Sequence, residues 1–345
     1  MFRFDWDEDS RAVAELARDF GRAAAASDRE AAETGAVPAG LRKQAGELGL
    51  FDLTRRVEDG GLGLAALAAG SAVTSLVAEA PTIGTALLLP EIGSPFGAPA
   101  GAFFADGGAG AGGYRRPAGL RLERGRVTGR IAFAAAAPGG GEGFLVAQAG
   151  DGDRLCRVSA GACALEDAPS MGLSAMRRVS AAVDGDAASD TPFGAAERTG
   201  LFLAQAPFFH GYGRAALHYA RAYAAERQAF GKVIGGFQAI GFLLADVAME
   251  VEAAELLWQE AAWRAAQGEE ALRLAADALR AAKDAAYFAV NSCVGILGGH
   301  GFVDDHPAER WLRDVETLSA LTGNRWALGQ AGAESLQGEE AHGVA

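Results

Sequence analysis

The residues of this 345-residue chain best suited to chemistry lie between positions 226 and 322. Glu226-Arg227-Gln228-Ala229-Phe230-Gly231-Lys232 sets a guanidinium three residues ahead of a Phe-Gly pair, and Phe237-Gln238 follows. A guanidinium offers phosphate oxygens a rigid fork, each charge-assisted bond being worth about 1.5–3 kcal/mol. At a helix end the same charge is favourable on dipole grounds alone. Further on come Gly298-Gly299-His300-Gly301-Phe302, Pro307-Ala308-Glu309-Arg310 and Arg313-Asp314. Helix termination accounts for two of those three glycines and leaves one over.

Other constellations are weaker. Gly108 to Gly113 satisfies a Gly-x-Gly-x-x-Gly pattern, but Tyr114-Arg115-Arg116-Pro117 follows where a nucleotide-binding helix should begin, which rejects a Rossmann reading. Glu339 to His342 has a di-iron spacing, yet it sits in a glycine-flanked tail with no counterpart on another helix. The histidines at 210, 218, 300, 306 and 342 form no close metal pattern, and Thr54, Ser174 and Ser319 lack a neighbouring His and Asp. No metal is expected.

Lys plus Arg number 31 and Asp plus Glu 44, a formal charge of −13, so phosphate backbones and anionic membranes are repelled. Nucleic acid and membrane are therefore not expected partners. Cys156, Cys163 and Cys293 form no Cys-x-x-Cys pair and suit a reducing compartment, with Cys293 a small buried residue on a helix. The acidic start Met1 to Asp9 lacks the pattern of a signal peptide, and no long uncharged apolar run follows, so a cytoplasmic location is expected.

The elements that must position these residues are mostly helical. Val13, Leu16, Ala17 and Phe20 recur at helical spacing, with Asp9 or Ser10 as cap. Leu48 to Leu53 and Asp59 to Leu64 bracket a glycine-rich turn before a helix from Ala65 to Glu79. From about Pro95 to Asp190 the texture changes: Leu120 to Ile131 alternates, Gly143 to Ala147 is a compact apolar run, and Arg177 to Val183 reads as a strand. Helical periodicity then returns. Ile240, Leu243, Leu244, Val247, Val251, Ala254 and Leu257 form a core stripe, which leaves Asp246, Glu250, Glu252 and Glu255 solvated or bridging. A second helix covers Glu269 to Leu297, and a third runs from after Pro307 toward Thr322. The chain divides into an N-terminal helical domain (1–94), a middle β domain (95–190), a C-terminal helical bundle (191–336) and a tail (337–345), an α+β class.

On the ordered series from Arg227 to Asp314, the chain resembles the acyl-CoA dehydrogenase family, whose fold is an N-terminal helical domain, a small middle β domain and a C-terminal four-helix bundle. The resemblance implies FAD as cofactor and an acyl thioester, on CoA or a carrier protein, as substrate for α,β-dehydrogenation. It implies that Arg227, Phe230, Gly231 and Gln238, with Gly298, Gly299 and Gly301, reach across a subunit interface to the dinucleotide, the glycines letting backbone approach the diphosphate. Gly295 stands where many members carry a Gln. Nine residues after Arg313, where the family presents its catalytic carboxylate, this chain has Thr322. The alternative position used by some branched-chain members is Leu201, beside Phe202, so Glu197 and Glu316 are the nearest carboxylates. The family's own-subunit flavin loops correspond to Asp106 to Gly112 and Ala132 to Ala136, which have lost the hydroxyls, Trp and Asn. What is kept serves a neighbour's flavin and what is lost serves the chain's own. A homo- or hetero-oligomer with a homologue follows, the chain being a partner subunit, a dehydrogenase or oxidase with an unusual base, a flavin-dependent monooxygenase, or a non-catalytic binding homologue.

Overall fold

The computed structural model describes residues 8–54, 57, 62–91, 103–106, 119–136 and 143–322. Among the described residues, five α-helices come first: α1 (Glu8–Ala24), α2 (Asp28–Thr34), α3 (Ala39–Glu47), α4 (Ala66–Glu79) and α5 (Pro81–Leu88). The buried face of α1 is Ala14, Ala17, Phe20 and Ala24, while Leu16 is exposed. The periodicity was right and the phase was off by part of a turn, because small residues let α1 approach α4: a Cβ on Gly21 would lie 3.1 Å from the carbonyl oxygen of Leu76.

Seven strands follow among the described residues: β1 (Phe103–Asp106), β2 (Arg121–Glu123), β3 (Arg126–Ala136), β4 (Gly143–Ala149), β5 (Gly152–Val158), β6 (Cys163–Asp167) and β7 (Arg177–Pro192). Their order is β1-β4-β2-β3-β7-β5 with β6 on β7, and the β4–β5 pairing closes the sheet on itself. The alternating run from Leu120 to Ile131 is a hairpin, since Arg124 and Gly125 both take positive φ (51° and 79°), the geometry that matches strand twist. Strand β7 runs nine residues past Val183, pairing first with β3 and then with β5 around a register shift.

The remaining elements are α6 (Ala195–Glu226), a small hairpin of β8 (Gln228–Ala229) and β9 (Lys232–Val233), α7 (Gln238–Ala266), α8 (Leu272–Leu297), a 3-10 turn (Gly298–Phe302) and α9 (Ala308–Leu321). Helices α6 to α9 pack as a bundle whose core is continuous with that of the N-terminal helices. Val247, Val251 and Ala254 of the expected α7 stripe are buried, and the flanking Ile240, Leu243, Leu244 and Leu257 are partly so. Glu255 bridges, pairing with Arg214 at 2.6 Å. Cys293 is buried, which pushes its thiol up to about 12. No helix among the described residues is long and apolar enough to cross a membrane.

Pro207 lies inside α6. A proline has no N–H to give the carbonyl four residues back, so the Leu203 carbonyl loses its helical partner. The indole N–H of Trp258 on α7 takes that place, donating to Leu203 at 3.0 Å. Helices α6 and α7 are thereby pinned at one point.

Arg313-Asp314 on α9 clamps the loop before β7. Asp314 accepts from the Leu173 N–H (2.5 Å) and from the Tyr212 hydroxyl (3.1 Å), and Arg313 donates to the Met171 carbonyl (2.5 Å). Leu173 is held at a φ of 56°, and a Cβ on Gly172 would lie 2.2 Å from the Arg313 carbonyl oxygen. Because that neighbour is helix backbone and cannot swing away, Gly172→Ala should destabilise the fold by about 1–3 kcal/mol, read as a lower urea midpoint with unchanged slope. An unchanged midpoint would show that the loop does not pack this closely.

Candidate functional site

Two regions converge on chemistry. At the first, α6 ends at Arg227 and the β8–β9 hairpin turns through Phe230 and Gly231 at φ values of 52° and 83°. Positive φ is open to glycine but costly for a bulky residue, at about 1–3 kcal/mol. Phe230 is nonetheless held there 96% exposed, with the ring of Phe237 edge-on to its own at a centroid separation of 6.4 Å. Neither burial nor backbone preference accounts for it. Arg227 is exposed beside it with no ion-pair partner among the described residues, and Gly231 and Gln238 share that exposed surface.

The 3-10 turn after α8 lies against this helix end. Tyr223, one turn before Arg227, bonds His300 Nδ1 through its hydroxyl at 2.8 Å, and Tyr219 bonds His306 Nδ1 at 2.7 Å. The two imidazoles stack with centroids 5.4 Å apart. The Tyr223–His300 bond thus ties the end of α6, which Arg227 caps, to the Gly298–Gly301 bend, distant in sequence. The three glycines differ in cause. Gly298 ends α8 at a φ of 59°, and Gly301 packs so that a Cβ would lie 2.6 Å from the Val294 carbonyl oxygen. Gly299 has nothing within 4 Å of where its Cβ would be, nor has Gly295 one turn earlier. Of the three, only Gly301 is required by the chain's own packing; at Gly298 and Gly299 the missing side chains leave open space.

The second region is an apolar groove of about 180 Å³ between α4 and α6. Ala66, Ala69, Gly70 and Val73 line it from α4, and Gly200, Leu203, Ala204 and Phe208 from α6. Both sets follow helical spacing, and small residues facing each other create the gap. Leu50, Phe51, Leu53, Thr54, Leu64 and Leu88 complete the wall, with no ionisable side chain among the lining residues. Leu64 and Phe208 line the groove, whereas their near neighbours Leu62 and Phe209 do not.

No candidate base reaches that groove. Thr322 is buried at the end of α9, its hydroxyl donating to the Leu318 carbonyl at 2.8 Å and its own carbonyl accepting from Lys283 Nζ at 3.0 Å. Leu201 is buried in a small core with Phe144, Val146, Leu155 and Phe193, where it joins α6 to the barrel. Glu197 caps α6 by accepting from the Gly194 N–H at 2.9 Å, so the carboxylate nearest in sequence is engaged at the helix start. Glu316 is on the exposed face of α9. His210 is buried and its imidazole is held down to about 3, first by burial and then by Arg214, which keeps it neutral. No group of three metal-ligating side chains occurs among the described residues. Residues 107–118, including Gly107 to Gly112 of the expected flavin-binding stretch, residues 137–142, and Glu339 and His342 lie outside the described residues.

Sequence reading missed Trp258, Gly70 and the stacked histidines. The small-residue spacing at 66, 69 and 70 was a signal for a groove, and Pro207 was a signal that some donor must answer Leu203.

A helical domain, a closed β sheet and a helical bundle, with an apolar slot between the two helical parts, define an acyl-CoA dehydrogenase-like architecture. Comparison with known proteins agrees. The family described as "Acyl-CoA dehydrogenase, N-terminal domain" matches residues 7–98, and "Acyl-CoA dehydrogenase, C-terminal domain" matches residues 198–335. The chain belongs to the acyl-CoA dehydrogenase superfamily. It is 40% identical over 114 residues to the probable acyl-CoA dehydrogenase FadE25 of Mycobacterium tuberculosis, a stretch covering 33% of this chain and 29% of that protein. The match thus spans less than a third of the curated relative's length. Among solved structures, butyryl-CoA dehydrogenase from Megasphaera elsdenii aligns with a TM-score of 0.78 at 20% identity, covering 97% of this chain and 100% of that one. A structure of PigA with FAD and proline aligns at 0.83 and 16% identity, covering 97% and 99%. Identities this low speak for the fold alone.

Proposed function

We propose that this chain is a flavoprotein subunit that binds an acyl thioester in the α4–α6 groove and lends Arg227, Phe230, Gly231, Gln238 and Gly298, Gly299 and Gly301 to an FAD held by a neighbouring subunit. The observation that carries the reading is Phe230. A large apolar ring kept in a costly backbone conformation and turned to the outside, beside a guanidinium with no ion-pair partner among the described residues, is explained by a partner surface and by little else. Phe242, Met249, Leu256 and Trp263 on α7 support it, being exposed at seven-residue spacing on one long helix, as an apolar stripe awaiting a partner would be.

The residues present fit a diphosphate-bridged dinucleotide: Arg227 supplies the fork and Gly299 the open backbone approach. Bound flavin supplies the hydride acceptor for dehydrogenation of an acyl thioester. That reaction also needs a base at the α-carbon, a contribution typically worth 10²–10⁴-fold. Thr322, Leu201 and the groove lining provide none, so the chain acts as the base-deficient partner of a complete homologue.

Purification alone and together with a catalytically complete homologue tests this. The expected result is weak or absent flavin absorbance alone, and a yellow, thioester-reducible oligomer in company. A yellow homo-oligomer of this chain, bleached anaerobically by acyl-CoA at ordinary enzymatic rates, would refute the partner role. Oxygen uptake by the reduced protein would point instead to monooxygenation.

A further inference from the structure

We infer that Trp258 sets the depth of the acyl groove and so decides the acyl chain length it accepts, an inference that rests on the groove being the acyl site. Trp258 does not line the groove. It stands directly behind two residues that do. A Cβ on Gly70 would lie 2.3 Å from indole Cζ2 and 2.8 Å from Cγ of Pro207, so glycine at 70 is what lets the ring close against α4. On the other side its N–H is bonded to the carbonyl of Leu203. The indole therefore fills the space between the two helices at the level of Gly70 and Leu203.

The ring is fixed, which makes it a wall and not a gate. Its N–H answers the carbonyl orphaned by Pro207, His210 abuts it edge-on with centroids 5.9 Å apart, and its side chain is among the largest that are fully buried. Thr74 adds a bond from α4 to the Pro207 carbonyl at 3.3 Å, holding the two helices in register at the same level. Shortening the side chain opens volume contiguous with the groove, because no other side chain lies between the indole and the Gly70 backbone. A saturated acyl chain extended into that volume buries more methylenes, each tightening binding roughly fourfold.

The test measures dissociation constants by calorimetry for straight-chain saturated acyl-CoA thioesters of increasing length, with CoA alone as control. It compares the wild-type full-length chain, in whichever oligomer it purifies, with Trp258→Leu. Removing the indole also removes the donor to Leu203. Pro207→Ala combined with Trp258→Leu restores a helical N–H for that carbonyl and serves as the second variant if the single one fails to fold. In either variant the length of tightest binding is expected to move up by two or more carbons, with longer chains bound about tenfold or more tightly than by wild type. Val73→Phe, which adds bulk on the groove side of α4, is expected to move the optimum down. A wild type that shows a length optimum, with folded variants that keep it unchanged, would overturn the role of Trp258 and leave the acyl site standing. A folded wild type that binds no acyl-CoA better than CoA would overturn the acyl site, and this inference with it.

Discussion

Replacing Arg227 with alanine is expected to weaken FAD binding in the assembled oligomer by about 10- to 140-fold, corresponding to the loss of about 1.5–3 kcal/mol from one charge-assisted contact. The side chain makes no ion pair among the described residues, so thermal stability in the absence of flavin should be unchanged. Arg227→Lys should fall between wild type and alanine, because an ammonium keeps the charge but not the planar fork. Flavin fluorescence titration reads all three. Equal affinity in wild type and Arg227→Ala would remove the dinucleotide from this surface, and the exposure of Phe230 would then need another partner to explain it.

The largest stability effect is expected at Asp314. Alanine there leaves the Tyr212 hydroxyl and the Leu173 N–H without their acceptor in buried surroundings, a loss of about 3–5 kcal/mol. The pH dependence has a definite sign. Burial raises the Asp314 carboxyl to about 6, against the opposing bonds from Leu173 and Tyr212. A carboxyl that holds its proton more tightly when folded favours folding most below about 4, and that contribution is lost as the pH rises through about 6. Asp28, nearby and also raised by burial, acts in the same direction. Asp314→Asn keeps an acceptor for Leu173 and cannot ionise. The difference in urea midpoint between wild type and Asp314→Asn should therefore vary across pH 4–6 and level off above it, wild type losing stability relative to the variant. A constant difference across that range would mean that Asp314 is not desolvated at the junction.

The clamp also explains why the Arg313-Asp314 pair stands where it does. Both side chains hold the loop at Met171 and Leu173, fixing the middle domain on α9.

The amino-acid sequence by itself determined the order of helical, β and helical segments, because those follow from local periodicity and turn residues that act over a few positions. It also marked Arg227, Phe230 and the Gly298 to Gly301 bend, since residue type and spacing are what those features consist of. Tertiary structure decided the rest. Which face of α1 is buried depended on α4 approaching through Gly21, so Leu16 lay outside. Whether Glu197 was free depended on a backbone N–H three residues away that needed a cap. The groove exists only because small residues 130 positions apart in sequence face each other at 70 and 200. Trp258 closes it because a proline elsewhere left a carbonyl unanswered. Burial and the completion of hydrogen bonds are properties of three-dimensional neighbours, and a chain read residue by residue carries the candidates for them without the pairings.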